Sequence, residues 1–302
     1  MAAREEAWII EAGLPAGVVN IVPAGREVGA YLVEHPDVDK IAFTGSSTSG
    51  RVIARRCGEL LRPVTLELGG KSAAIVLDDA DLAGATEALF AATLMNNGQT
   101  CNIGTRVLTP RSRYDEVLEV FNALAGALVV GDSLDPATQI GPLASARQRE
   151  RVEGYIAKGR AEGGRVVSGG GRPPEQDRGW FVQPTIFADV DNSFTIAREE
   201  IFGPVLAVIP YDGVDDAVAI ANDSEFGLGG SVWSRDIEHA NDVAKRVQTG
   251  SIGINHYMID PAAPFGGVKA SGIGRELGPE GLDAYFQLQS IYEAPPQAPD
   301  AP

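Results

Sequence analysis
The chain has 302 residues, 44% of them hydrophobic, which is enough apolar material for two domains with packed cores. Its 25 Lys and Arg stand against 41 Asp and Glu, and the resulting formal charge of -16 repels phosphate backbones and anionic lipid, which argues against nucleic-acid or membrane partners. No apolar run approaches the ~18 to 20 residues needed to span a bilayer. The amino end MAAREEAWII has no basic segment followed by an apolar one, so the expectation is a soluble, cytoplasmic protein. Only two cysteines occur, Cys57 and Cys101, without a CxxC pair, which implies free thiols in a reducing compartment.

Along the chain, AAREEAWIIEAG, VVNIV, EVGAYLVEH, VDKIAF, TSGRVIARRCGELL and VTLEL alternate helix-like and strand-like periodicity, the βαβαβ pattern of a parallel sheet with helices on its faces. The series opens on a helix without a strand before it, so at least one earlier βα unit is expected upstream. A domain change is expected near Gly70, where a Gly-Gly pair permits a sharp turn. A second alternating series follows: AAIVL, a helix from about Asp81 to Met95, RVLTP, a helix from about Tyr114 to Val130, and further elements as far as SIGIN. SGGGRPPEQDRGW reads as a polar surface loop, and the Pro-rich EAPPQAPDAP as a disordered tail.

Three segments could carry chemistry. Cys101 lies in MNNGQTCN just after a helix, where exposed backbone N–H groups can lower a thiol pKa and stabilise an oxyanion; a packing role is the plainer alternative, and Cys57 on its amphipathic helix fits that alternative better. Glu67 ends VTLEL at the carboxyl end of a strand, where open α/β sheets place their ligands, or else it is a solvated or salt-bridged carboxylate with Lys71 as partner. VDKIAFTGSSTSG runs from strand to helix, so helix-terminal N–H groups could face a pyrophosphate, although Ser46 or Ser47 could simply cap the helix. Gly45 and Gly50 have the spacing of a triphosphate loop, but Arg51 stands where that motif needs Lys, and no GxGxxG follows a strand. His35, His239 and His256 are scattered without an HExxH, and no GxSxG occurs, which argues against a metal site and a serine hydrolase.

Taken in order, VNIVPAG, FTGS, LELGGKS, NGQTC, EEIFGPV, SIGIN and PFGGVKASGIGRELG resemble the aldehyde dehydrogenase superfamily over nearly the whole chain, with LELGGK, NGQTC and EIFGPV the most specific. The resemblance implies a partial Rossmann-like parallel sheet followed by an α/β catalytic domain of that type. The expected division is 1–69 for the carboxyl part of the dinucleotide-binding domain, 70–262 for the catalytic domain, 263–293 for a return segment with an oligomerisation strand in AYFQLQSIY, and 294–302 for the tail. It implies NAD or NADP as cofactor and an aldehyde as substrate. Cys101 would attack the aldehyde carbon, and the thiohemiacetal oxyanion would be held partly by the cysteine's own N–H. Loss of hydride would leave a thioester, hydrolysed by water that Glu67 activates. Glu276 matches an accessory acidic position, with a salt bridge to Arg275 as its alternative. For the cofactor, Gly25 and Gly29 fall on the adenosine side, Thr44, Gly45, Ser46 and Gly50 at the pyrophosphate turn with Leu68 beside them, Glu200 at the nicotinamide ribose, and Phe202 near the nicotinamide unless it is core packing.

Family members begin well before Met1. The residues implied to lie upstream include the first βαβ, the lysine that holds the adenine ribose, and an asparagine amide of the oxyanion hole, a donor whose loss costs ~2.7 to 4 kcal/mol of transition-state stabilisation. The remaining sheet would expose an edge or face, so a homo-oligomer or a separately encoded N-terminal segment is the expected partner. Competing readings are a catalytically impaired nucleotide- or partner-binding module and a cysteine-dependent esterase, with transfer to CoA a weaker enzymatic variant. Met258, Ile259 and Phe265 are candidates for the substrate tunnel.

Overall fold
The computed structural model describes residues 11–294, so most of the first expected helix and residues 295–302 of the expected tail lie outside the described residues. The chain divides into two compact units, residues 11–41 with 52–63 in one and 42–51 with 64–294 in the other.

In the smaller unit, α1 (Arg26–Glu34) buries none of its residues. Its carboxyl end is tied by Arg62, whose guanidinium donates to the carbonyls of Val33 and His35. The expected strand VVNIV does not form: residues 18–22 have no strand geometry, and Val18, Val19, Ile21 and Val22 are exposed. β-propensity alone cannot make a strand where no neighbour offers a hydrogen-bonding ladder.

Strand β1 (Ile41–Thr44), helix α2 (Ser47–Glu59) and strand β2 (Val64–Glu67) follow the expected pattern. Cys57 is fully buried on α2, as its packing role required. The small sheet differs from the all-parallel expectation, because its order is β1-β2-β12 and β12 (Gly272–Ile273) pairs antiparallel with β2, Gly272 opposite Glu67. The return segment is thus built into the sheet that carries Glu67.

The larger sheet has the order β10-β9-β3-β4-β7-β6-β5, with β3 at Ala73–Val76, β4 at Arg106–Pro110, β5 at Arg165–Ser168, β6 at Thr185–Ala188, β7 at Val205–Tyr211, β9 at Gly230–Trp233 and β10 at Gly253–Ile254. All its neighbours are parallel except the edge strand β5. Runs such as AAIV and VLAVI are apolar throughout because both faces are covered. Ile75, Val205, Ala207 and Ile209 face one core with α5 (Ala146–Ala161), α6 (Thr195–Arg198), α7 (Val214–Asn222) and α8 (Ile237–Ala244). Ala74, Val107, Leu206 and Val208 face the other core with α3 (Thr86–Thr93) and α4 (Tyr114–Ala127).

Helix α3 starts five residues later than expected, at Thr86, after a turn at residues 83–84; α4 ends three residues sooner than expected, before Leu128 turns extended. A two-residue ribbon, β8 (Phe226–Gly227) with β11 (Val268–Lys269), and α9 (Gly278–Asp283) complete the described elements. AYFQLQSIY forms no strand: after α9 it runs irregularly, with Phe286, Leu288, Ile291 and Tyr292 exposed. Cys101, Ser72 and Glu200 all lie just before the strands β4, β3 and β7, so the segments of interest gather at the amino ends of the large sheet.

Candidate active site
The loop before Cys101 is shaped by two left-handed residues in a row. Asn96 (φ 54, ψ 42) and Asn97 (φ 59, ψ 29) turn the chain out of α3, a conformation that asparagine tolerates better than most residues. The Asn97 amide then docks the turn, donating to the Pro142 carbonyl at 3.1 Å and accepting from the Gly141 N–H at 2.7 Å. Gln99 accepts from the Ala144 N–H at 3.1 Å. From the other side Gly70 presses on Cys101, where a Cβ would lie 2.3 Å from the cysteine carbonyl oxygen, so the second glycine of LGGK is a condition of the approach.

Cys101 is half-buried, and its Sγ lies 4.0 Å from Asn102 Oδ1. Its pKa is pushed up to about 11, first by burial and then by the Glu200 carboxylate, with Glu67 adding to the rise. The N–H groups of Cys101 and Asn102 act in the direction expected from the sequence, lowering it, but burial and Glu200 outweigh them.

Glu67 is 2% exposed, and neither carboxylate oxygen has a hydrogen-bond partner. Burial, and after it the charge of Glu276, pushes its pKa up to about 8 against the opposing pull of Arg275. The alternative of a solvated or Lys71-paired carboxylate is therefore not what forms: Lys71 is itself buried, and its Nζ has no hydrogen-bond partner. Burial and the neighbouring Arg106 bring Lys71 down to about 7. Arg275 spends its guanidinium on the carbonyls of Gly267 and Gly274 at 3.0 and 2.7 Å, while Glu276 is fixed through its backbone by two 2.7 Å bonds with Phe265.

A cavity of about 1100 Å³ opens at Cys101, with Thr44, Gly45, Ser46, Leu68, Glu200 and Phe202 also among its walls; Glu67 is not one of its lining residues. Its size is at the upper end of the ~300 to 1,000 Å³ of small-molecule and cofactor pockets. The turn between β1 and α2 is anchored by the Gly45 N–H to the Glu67 carbonyl at 2.9 Å. Ser46 takes the capping role, its Oγ accepting from the Ser49 N–H at 3.3 Å, while still lining the cavity. The Leu68 side chain lies against Gly50, which is packed behind the cavity wall. Glu200 accepts from the Gly70 N–H at 3.0 Å; burial raises its pKa, opposed by that bond, Arg151 and Lys71. Phe202 is 36% exposed with φ 60, so it is not core packing.

Gly25 and Gly29 belong to the smaller unit, at the amino cap and inside α1, where a Cβ on Gly29 would meet open space. Of the expected tunnel residues, Ile259 lines the cavity, Met258 is exposed, and Phe265 is buried. The sequence reading missed Gln148, Arg151 and Tyr155 of α5 and Arg51 of α2, all of which line it. Polar residues on a charged helix such as ARQRERVEGYIAKGRA carry no motif that separates a site wall from a solvated face. Among the described residues no group of three or more His, Cys, Asp or Glu is placed to hold a metal, and no helix is long and apolar enough to cross a membrane.

With this geometry in place, residues 3–291 match the model of the aldehyde dehydrogenase family. The chain is 60% identical over 282 residues to geranial dehydrogenase of Castellaniella defragrans, covering 93% of this chain and 59% of that protein. It is 46% identical to betaine aldehyde dehydrogenase of Rhizobium leguminosarum bv. trifolii, covering 96% of this chain and 60% of that protein. In structure it is similar to a Mycobacterium tuberculosis aldehyde dehydrogenase complexed with NAD+, with TM-score 0.92, 55% identity, and coverage of 97% and 62% of the respective chains. The Pseudomonas syringae enzyme with NAD+ and octanal gives TM-score 0.90 at 44% identity, covering 95% of this chain and 59% of that one. The chain belongs to the aldehyde dehydrogenase family, and it spans about three-fifths of the length of these relatives.

Proposed function
We propose that this chain oxidises an aldehyde to the carboxylic acid with NAD(P)+, using Cys101 as nucleophile and Glu67 as general base. The observation that carries this reading is the junction at Gly70: one glycine brings the Cys101 backbone against the strand end that bears Glu67, with the two side chains electrostatically coupled. The cavity, the Glu200 carboxylate, the Phe202 ring and the helix start after Thr44 fit a dinucleotide, which when bound supplies the hydride acceptor.

In this reading Cys101 first loses its proton to solvent, and the thiolate sulfur then bonds to the aldehyde carbon while the oxygen takes the negative charge, held by the Cys101 N–H. Loss of hydride from that carbon restores a carbonyl as a thioester on Cys101. Glu67 then removes a proton from water as the water attacks, and the acid leaves as the C–S bond breaks. Glu276 helps keep the Glu67 pKa high, which makes it a stronger base whose ionised form appears as pH rises through about 8. Gly25, Gly29, Gly45, Ser46, Gly50 and Leu68 support the cofactor, with Glu200 at its ribose. The division of labour assigns 1–69 to cofactor binding, 70–262 to catalysis, and 263–293 to the return.

The substrate class this reading favours has an apolar tail, on the strength of Ile259 in the cavity wall and the relationship to a geranial dehydrogenase. Two unpaired cysteines support a cytoplasmic location in this reading. Exposed apolar side chains on α1 and along residues 284–292 support assembly, either with further copies or with a segment equivalent to the remaining length of the relatives. The test is NADH formation from a terpenoid aldehyde, octanal and betaine aldehyde. The expected result is preference for the first two and no turnover in Cys101→Ala; turnover that survives this substitution would refute the reading.

A further inference from the structure
The Asn102 amide stands between the Cys101 thiol and a row of buried hydroxyls that the reaction does not use. Asn102 is 4% exposed, so its amide must find partners inside the protein. On one side the Cys101 S–H donates to Asn102 Oδ1 over 4.0 Å. On the other lies the hydroxyl of Tyr257, a buried residue from the segment just after β10. Gly229 leaves it room, because a Cβ there would lie 2.3 Å from Tyr257 Oη and 2.6 Å from the Asn102 carbonyl oxygen. Burial raises the Tyr257 pKa, and side-chain hydrogen bonds with Ser251 and Asn102 act against that rise.

The direction of each bond in the row follows from its far end. Tyr257 Oη and Ser251 Oγ are 2.6 Å apart, and Ser251 Oγ lies 3.4 Å from the Leu228 carbonyl, which can only accept. Ser251 therefore gives its proton to Leu228, Tyr257 gives its proton to Ser251, and the lone pair left on Tyr257 takes an N–H from Asn102 Nδ2. With Nδ2 held there, Oδ1 is the amide atom that faces the sulfur. A carbonyl oxygen in that place accepts from a thiol and repels a thiolate.

We propose that Tyr257 and Ser251 are positioning residues that fix the orientation of the Asn102 amide, so that Asn102 Oδ1 holds Cys101 as a resting thiol. Half a turn of the amide would present Nδ2 to the sulfur and favour the thiolate, so breaking the tie to Tyr257 releases the nucleophile. The catalytic meaning of this device rests on Cys101 being the nucleophile, but the state of the thiol is measurable without turnover.

Tyr257→Phe and Ser251→Ala each remove one hydroxyl and little else. In the first, Nδ2 loses its acceptor; in the second, Tyr257 loses its own acceptor and donates to Oδ1 instead. Either change lets Nδ2 turn toward the sulfur as the proton leaves. The measurement is alkylation of Cys101 by iodoacetamide without cofactor, followed against pH and located by peptide mapping. Glu200 and Glu67, the charges that act on the thiol, are the same in every protein compared. Cys57 is fully buried, so its failure to react shows that a variant is folded. The midpoint is expected to fall by about one pH unit in both variants, with alkylation about threefold faster at pH 8. An unchanged or raised midpoint in either folded variant would overturn the proposal. Adding Tyr257→Phe to Asn102→Leu is expected to shift the midpoint no further, and a further shift would overturn action through the amide. Turnover that survives Cys101→Ala would count against the nucleophile reading alone, leaving the alkylation midpoint to decide the role of the amide.

Discussion
Glu67 and Cys101 both have their pKa values raised by the same buried setting. A carboxyl raised from 4.5 to about 8 is neutral at moderate pH, so its basic form appears as pH rises through about 8, and thioester hydrolysis should climb over that window. Because the Glu276 charge is part of the rise, Glu276→Gln should move the midpoint of the pH–rate profile down; a midpoint that stays in place would contradict the coupling. Linkage has a matching sign: the stability gained by burying a neutral Glu67 is full below the ordinary Glu pKa and is lost as pH rises through about 8. For Cys101, raised to about 11, cofactor-free alkylation by iodoacetamide should rise about tenfold per pH unit from neutrality to about pH 10. Since Glu200 is the leading charge behind that rise, Glu200→Gln should quicken alkylation at fixed pH. The motifs exposed both residue types in the sequence, but not their pKa values, which depend on burial and on Glu276 and Glu200, both over a hundred positions from Glu67.

At the scale of elements, the cysteine loop is a turn docked by side chains. Asn97→Gly keeps a residue that accepts φ 59 while removing both amide bonds, so a loss of about tenfold in kcat with a modest fall in Tm is the expected result. Wild-type kcat in that variant would show that the clamp to residues 141–142 is dispensable. Strands buried on both faces were the most legible elements, since AAIV, RVLTP and VLAVI are apolar enough to identify themselves. VVNIV forms no strand because a strand is a pairing, and this segment has no partner ladder among the described residues; AYFQLQSIY, expected to pair only in an assembly, is irregular in the single chain. The two-residue β12 was invisible for the complementary reason: its pairing with β2 joins segments about two hundred positions apart and leaves no local period.

At the scale of the whole molecule, apolar side chains that a finished surface would cover stand free on α1, along residues 18–22 and along 284–292. Sedimentation at rising concentration should therefore show species heavier than the 31.7 kDa chain, diminished by Phe286→Ser with Ile291→Ser; a monomer at all concentrations would contradict the assembly proposed above. The central claim is that one thiol carries the acyl group and one buried carboxylate releases it. Intact mass and peptide mapping of Glu67→Gln mixed with octanal and NAD+ tests it most directly. An octanoyl group should accumulate on Cys101; an acyl group mapped to any other residue, or undiminished turnover in Glu67→Gln, is incompatible with these two roles.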